Sequence, residues 1–252
     1  MNRRVFLSAS AGAGLLAAAE LPKMSQYYEI QHFQMKNGPQ SQRTNDFFAN
    51  YYVPAISKLG MPPVGFFNPV IGEQSPYLMM LISHPDLASV ETLSERMNAN
   101  AEYRKGFEAY LAGDPPYNRR EVSLLRAFDS MPVLQVPPGK GGHIFEMRTY
   151  ESNTSITLQR KIKMFGDGEM SIFKRLGMNP VFFGQARFGS NIPHLTYMLA
   201  YDDLAHRDTL WKAFGSDPEW QKLRSQPGLS DAEIVSNISN TILRPASYSQ
   251  VK

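Results

Sequence analysis

At 252 residues, 42% hydrophobic and 19% charged, the chain is long enough to bury about 70% of its unfolded surface in one or two compact domains, so disorder is not the default reading. The formal charge is +3, and it falls to +1 from Glu20 onward once Arg3 and Arg4 are set aside, too little to point to nucleic acid or to an anionic membrane surface. The absence of cysteine excludes disulfides, thiolate metal sites, a catalytic thiol and a lipoprotein acyl anchor.

The chain opens with Asn2-Arg3-Arg4-Val5-Phe6-Leu7, followed by an Ala/Gly-rich, weakly apolar stretch from Ser8 to Ala19 without an acidic residue. This reads as a twin-arginine export signal over residues 1–19, with Ala17 and Ala19 as the small residues before a cut at Glu20. A transmembrane helix needs about 20 apolar residues, so the stretch is too short to span comfortably. The expected location is the periplasm or the exterior, with no stable membrane insertion after the signal is removed.

From there the alternation and the 3.6-residue spacing predict strand, helix, strand, strand, helix, strand, and then the same order again. Tyr27 to Phe33 is the first strand. Phe48, Tyr52, Ala55, Ile56 and Leu59 lie on one helical face, with Gly60 as a left-handed stop and Pro54 expected to kink the helix or mark its start. Val64 to Ile71 and Tyr77 to Ser83 form a hairpin; Asn100-Ala101-Glu102-Tyr103 starts a helix; Glu121 to Phe128 is the last strand. Residues 131–142, Pro-rich and then Gly-rich, read as a linker. The second series runs through Ile144 to Tyr150, a helix bearing Phe165, Ile172, Phe173 and Leu176 with its stop at Gly177, Val181 to Phe188, Leu195 to Tyr201, a helix opened by Asp217-Pro218-Glu219-Trp220, and Ser239 to Leu243.

The two series are copies. At a constant shift of 117 residues, Glu29 meets Glu146, Phe48 meets Phe165, Leu59-Gly60-Met61 meets Leu176-Gly177-Met178, Asp86-Leu87 meets Asp203-Leu204 and Tyr103 meets Trp220. Near the end the shift becomes 118, pairing Leu124-Leu125-Arg126 with Ile242-Leu243-Arg244. A period above 100 residues means duplicated domains, since solenoid repeats run at about 20 to 50. The fold class that follows is α+β: two tandem ferredoxin-like βαββαβ units, each with helices on one sheet face, whose other faces bury against each other in a pseudo-dimeric α/β barrel.

Phe145-Glu146-Met147-Arg148-Thr149-Tyr150, the Leu176-Gly177-Met178 helix end and Asp217-Pro218-Glu219-Trp220 together resemble a NIPSNAP domain. The resemblance assigns residues 143–252 to a second NIPSNAP-like domain and residues 25–130 to a degenerate first one, where Gln31 and Phe33 stand at the arginine and tyrosine positions of the opening strand. It implies the dimeric α/β-barrel superfamily. It transfers no catalytic residue, and relatives by fold include cofactor-independent monooxygenases and haem-degrading enzymes.

Strand alternation puts Glu146, Arg148 and Tyr150 on one face and Phe145, Met147 and Thr149 on the other. The apolar set is expected to face the helices, which would aim the polar trio into the barrel. There it is either a satisfied Glu146–Arg148 pair bridged to Glu29, or a ligand or proton-transfer site in which Arg148 holds an oxygen and Glu146 or Tyr150 moves a proton. The candidate ligand-binding residues are therefore Glu146, Arg148, Tyr150 and Glu29. The five histidines show no ligand spacing and are read as surface or loop residues, so no metal and no cofactor are expected. Three functions remain: a protein binding a small, largely apolar molecule in the barrel; a cofactor-independent oxygenase or isomerase-like enzyme; a structural or interaction module that assembles, as a homo-oligomer among other forms.

Overall fold

Strand β1 (Tyr27–Gln34) serves two layers at once, with Tyr28 and Ile30 buried on one face and Phe33 on the other. A computed structural model describes residues 25–139 and 143–252; residues 1–19, expected to be an export signal, lie outside the described residues. After β1 come α1 (Pro39–Phe47), a π-helical turn (Phe48–Tyr52) and α2 (Val53–Lys58), then β2 (Gly65–Ile71), β3 (Tyr77–His84), α3 (Leu87–Asn98), α4 (Ala101–Leu111) and β4 (Arg119–Ala127). The second unit repeats this with β5 (Ile144–Glu151), α5 (Ser155–Met164), a π turn (Phe165–Glu169), α6 (Met170–Arg175), β6 (Asn179–Phe188), β7 (His194–Tyr201), α7 (Leu204–Ser216) and α8 (Pro218–Arg224). It adds a short α9 (Asp231–Ile234) before β8 (Asn237–Pro245).

Gly60 and Gly177 stop the first helices with φ of +68° and +86°, as expected of a left-handed cap. Pro54 stands in the first turn of α2 and so marks the start of that segment, one of the two expectations for it. The π turn before it recurs in the second unit, where Ser171 stands at the proline's counterpart, so the turn belongs to the architecture and not to the proline. One detail differs from the sequence reading. The second helix of each unit is two helices. Asn100 and Asp217 interrupt it, and their side chains accept from the backbone N–H groups that open α4 and α8.

The eight strands form a closed barrel in the order β1-β3-β2-β8-β5-β7-β6-β4, antiparallel throughout. The units meet edge to edge, β2 on β8 and β4 on β6, with a register shift in each seam. Closure leaves no sheet edge and makes the two uncovered faces into one interior, where Tyr28, Phe67, Leu81, Phe145, Phe182 and Met198 pack together. Separate apolar layers lie between sheet and helices in the first unit and in the second. The described part of the linker is no loose tether: Leu134 packs on the barrel interior, and Gln135 N–H donates to Val181 O at 2.9 Å. The C-terminal Val251 is buried in the same interior cluster.

A unit on its own would present half of that interior and both seam edges to water. Residues 25–131 expressed alone are therefore expected to aggregate or to lack a cooperative thermal transition. Sedimentation together with a melting curve checks this, and a soluble, cooperatively unfolding monomer would contradict the closed barrel as the source of stability.

Candidate functional site

The polar trio on β5 points the opposite way from the sequence expectation. Phe145 lies in the barrel interior with Met147 packed against the same cluster, while Tyr150 belongs to the helix-side core of the second unit. The barrel interior receives side chains from all eight strands and is the more apolar of the two environments. The helix layer, by contrast, brings Arg207 and Trp211 of α7 over the sheet, and these are what Glu146 and Arg148 meet.

Glu146 is fully buried and fully partnered. Arg148 Nη1 donates to its Oε1 at 2.7 Å, Arg207 Nη2 to Oε1 at 2.7 Å and Nε to Oε2 at 2.9 Å, and Trp211 Nε1 to Oε2 at 2.9 Å. Burial opposes ionisation of this carboxyl, but the hydrogen bonds and charges of Arg207 and Arg148 outweigh it and hold it below the usual carboxylate range. Arg148 also donates to the Tyr150 hydroxyl at 3.1 and 3.2 Å and stacks over the Trp211 ring at 4.5 Å. Beside them the buried Lys161 Nζ lies 3.1 Å from Glu169 and 3.4 Å from Asp231, with the rings of Tyr150, Phe165 and Trp220 around it. Glu146, Arg148 and Tyr150 are thus brought together, and every charge in this layer has a partner.

Glu29 is not bridged to that network. It faces the helix layer of its own unit, where the same positions carry smaller or less polar residues: Ser94 at the place of Trp211, Val90 of Arg207, Gln31 of Arg148, Thr44 of Lys161, Met80 of Tyr197. What the second unit fills, the first leaves open. A cavity of about 250 Å³ lies between sheet and helices, with Glu29, Gln31, Tyr52, Tyr103, Ser94 and Arg120 among its walls and Phe33, Phe47, Phe48, Phe107, Tyr110 and Tyr117 as its aromatic lining. The π turn of this unit supplies both Phe48 and Tyr52.

Glu29 is held from two sides. Gln31 Nε2 donates to Oε1 at 2.5 Å, and His84 Nε2 lies 3.1 Å from Oε2. The second nitrogen of His84 lies 3.2 Å from Ser89 Oγ, an arrangement in which Nε2–H donates to the carboxylate and the serine hydroxyl donates to Nδ1. Gln31 is 7% exposed, and its Oε1 is a buried acceptor without a partner. Exchanging its amide oxygen and nitrogen would put a carbonyl against the Glu29 carboxylate, so the orphaned atom is the oxygen. Burial, reinforced by Glu29, pushes the Tyr52 phenol far above its ordinary range, and burial pushes Tyr103 up to about 12, so both remain neutral donors.

The barrel itself is packed where Phe67, Phe145 and Phe182 meet. It opens at the end bearing the β2–β3 turn, in a polar mouth of about 640 Å³ lined by His32, Tyr77, Glu121 and Thr241 among others.

The reading of the histidines as surface or loop residues is corrected at His84 and His194, which are buried in β3 and β7; His143 precedes β5 in a loop, though it too is buried. His84 closes β3 facing the helix layer, and its counterpart Tyr201 faces Glu146 in the same way, with its hydroxyl 3.5 Å from Oε2. That pairing at the 117-residue shift was the available signal for His84. For Arg207 and Trp211 the signal was their i, i+4 spacing on one face of α7. No group of three or more His, Cys, Asp or Glu placed to hold a metal occurs among the described residues.

Fold and layers together define a pseudo-dimeric α/β barrel with two helix-side sites, one closed and one open. Residues 145–250, most of the second unit, match the NIPSNAP family model. None of the curated proteins compared with the chain matches it. Among solved structures, a candidate monooxygenase from Lactobacillus acidophilus NCFM is similar over 88% of this chain and 94% of its own, at TM-score 0.61 and 8% identity. Another, from Fusobacterium nucleatum subsp. nucleatum, is similar over 88% and 93% at TM-score 0.57 and 9% identity. An uncharacterized NIPSNAP-like domain protein from Burkholderia xenovorans covers 44% of this chain and 90% of its own, at 19% identity and TM-score 0.39. For the first two, at 8% and 9% identity, the likeness is one of fold.

Proposed function

We propose that this is an exported protein that binds one small, largely apolar molecule, and that the molecule sits in the helix-side cavity of the first unit instead of inside the barrel. The observation that carries the reading is the orphaned Gln31 Oε1 beside Glu29 in a wall made mostly of aromatic and aliphatic side chains: a buried acceptor of this kind calls for a hydrogen-bond donor on whatever fills the space. On this reading Glu29 is the member of the four-residue set that meets the ligand. Glu146, Arg148 and Tyr150 fasten the helices of the second unit to the sheet.

A second reading, an oxygenase or isomerase-like enzyme, is favoured by the His84–Ser89 chain behind Glu29. That chain steadies the carboxylate where it could accept a proton from a bound hydroxyl or carbon acid. The candidate monooxygenases that share the fold agree with this reading without assigning it.

Native mass spectrometry of protein recovered from the periplasm tests these points together. The expected polypeptide mass starts at or near Glu20, and a small-molecule adduct departs on collisional activation. Emptied protein is expected to take up 2-naphthol at one equivalent. Protein that neither carries an adduct nor takes up the probe overturns the binding reading, and periplasmic protein still bearing residues 1–19 overturns cleavage. Chemical change of the probe on incubation in aerated buffer selects the enzyme.

A further inference from the structure

The two charged residues in the wall of the open cavity lie at opposite ends of it. On β1 and β4, Glu29 is in register with Leu124, and Arg120 is in register with Phe33. Four residues of strand separate them, about 13 Å at roughly 3.3 Å per residue. The remaining lining residues carry no formal charge.

Arg120 is unlike the other arginines at this edge of the sheet. Its neighbour Arg119 pairs with Glu121 at 2.8 Å, and both of those side chains belong to the opposite side of β4. Arg120 itself makes no ion pair among the described residues. It is exposed to solvent yet lines the cavity, and its charge acts on the phenols of both Tyr52 and Tyr103. In the closed unit the equivalent place, in register with Tyr150, is held by Ile238. The guanidinium is thus particular to the unit that has a cavity.

We propose that the ligand is a polar-ended aromatic acid, with its carboxylate or equivalent anion held by Arg120 at the rim and a hydroxyl donor at its far end meeting Gln31 Oε1 and Glu29. The inference rests on the cavity reading above and adds the chemical class of the occupant. An anion at the Glu29 end would meet a carboxylate, and a cation at the rim would meet a guanidinium, so the cavity distinguishes the two ends of such a molecule. A planar guanidinium also matches a carboxylate with two parallel hydrogen bonds, which a neutral amide cannot reproduce.

The test compares 6-hydroxy-2-naphthoate with 6-hydroxy-2-naphthamide by isothermal titration calorimetry on the full mature chain. The acid is expected to bind at least tenfold more tightly than the amide. In Arg120→Met the difference is expected to shrink to threefold or less, while Arg119→Met leaves it at the wild-type value. Melting curves of both variants are expected to match the wild type, because both side chains are exposed. Acid and amide binding equally well would overturn the role of Arg120 and leave the cavity reading standing. Failure of both probes to bind would overturn the cavity reading and this inference with it. A preference for the acid that survives in Arg120→Met and disappears in Arg119→Met would overturn the assignment of the anion to Arg120.

Discussion

Replacing Glu146 by Leu is expected to lower the unfolding free energy by about 4 kcal/mol, because it leaves the half-buried guanidinia of Arg148 and Arg207 facing one another without the carboxylate between them. In a chain of this size that corresponds to a fall in melting temperature on the order of 10 °C. Arg148→Met is the milder change, at about 1 to 2 kcal/mol, since Arg207 and Trp211 still hold the carboxylate; adding Glu146→Gln to it should cost about 1 to 3 kcal/mol more, because the amide nitrogen would face a donor of Arg207 or Trp211. Glu29→Leu should cost roughly 1 to 2 kcal/mol, because its neighbours Gln31 and His84 bring no arginine whose charge would be stranded. Its larger effect is on binding: removal of the carboxylate frees Gln31 Nε2 and erases the polar end of the cavity.

The pH dependence has a definite sign. A carboxyl held below its unfolded value contributes stability that is complete above the unfolded pKa and is lost as the pH falls through the folded one. The gap between wild type and Glu146→Leu should therefore be constant near neutrality and narrow on acidification below about pH 4. Chemical denaturation of both proteins at pH 7 and at pH 3 reads it. An equal gap at both values would show that Glu146 is not held ionised by the two arginines.

Much of this architecture was legible because its signals are local. Alternation located every strand to within a residue or two, Gly60 and Gly177 marked the helix stops, and the constant 117-residue shift disclosed the duplication before any contact was known. The facing of β5 was not legible. Phe145 and Met147 suit a helix layer as well as a barrel interior, and the deciding contacts come from Arg207 and Trp211, about 60 residues away on α7. The division of each second helix is written in Asn100 and Asp217, whose capping side chains mark a helix start but carry no sign that another helix precedes it. The cavity is the hardest feature to read from one sequence, because it consists of side chains that are too small. Its signal lies in the paired positions themselves, where Trp211, Arg207 and Arg148 give way to Ser94, Val90 and Gln31 while the glutamate is kept.

That comparison also supplies the most direct way to close the site. Ser94→Trp places in the first unit the ring that fills the second, on a helix face where Trp211 reaches Glu146 with its Nε1–H at 2.9 Å. The introduced indole is expected to enter from the cavity rim, meet Glu29 with its N–H and displace the bound molecule, so that uptake of 2-naphthol falls at least tenfold, about 1.4 kcal/mol. Overpacking a filled core would cost about 1 to 3 kcal/mol, but here the ring enters open space, and the melting temperature should hold or rise. Ser94→Ala, which removes the hydroxyl without filling anything, should leave uptake near the wild-type level. The reciprocal change, Trp211→Ser, empties the second unit and takes one donor from Glu146, and is expected to destabilise by about 3 to 5 kcal/mol. If folded Ser94→Trp protein takes up the probe as well as the wild type, the open cavity is not where the molecule binds, and the polar mouth of the barrel around His32 and Glu121 becomes the place to look.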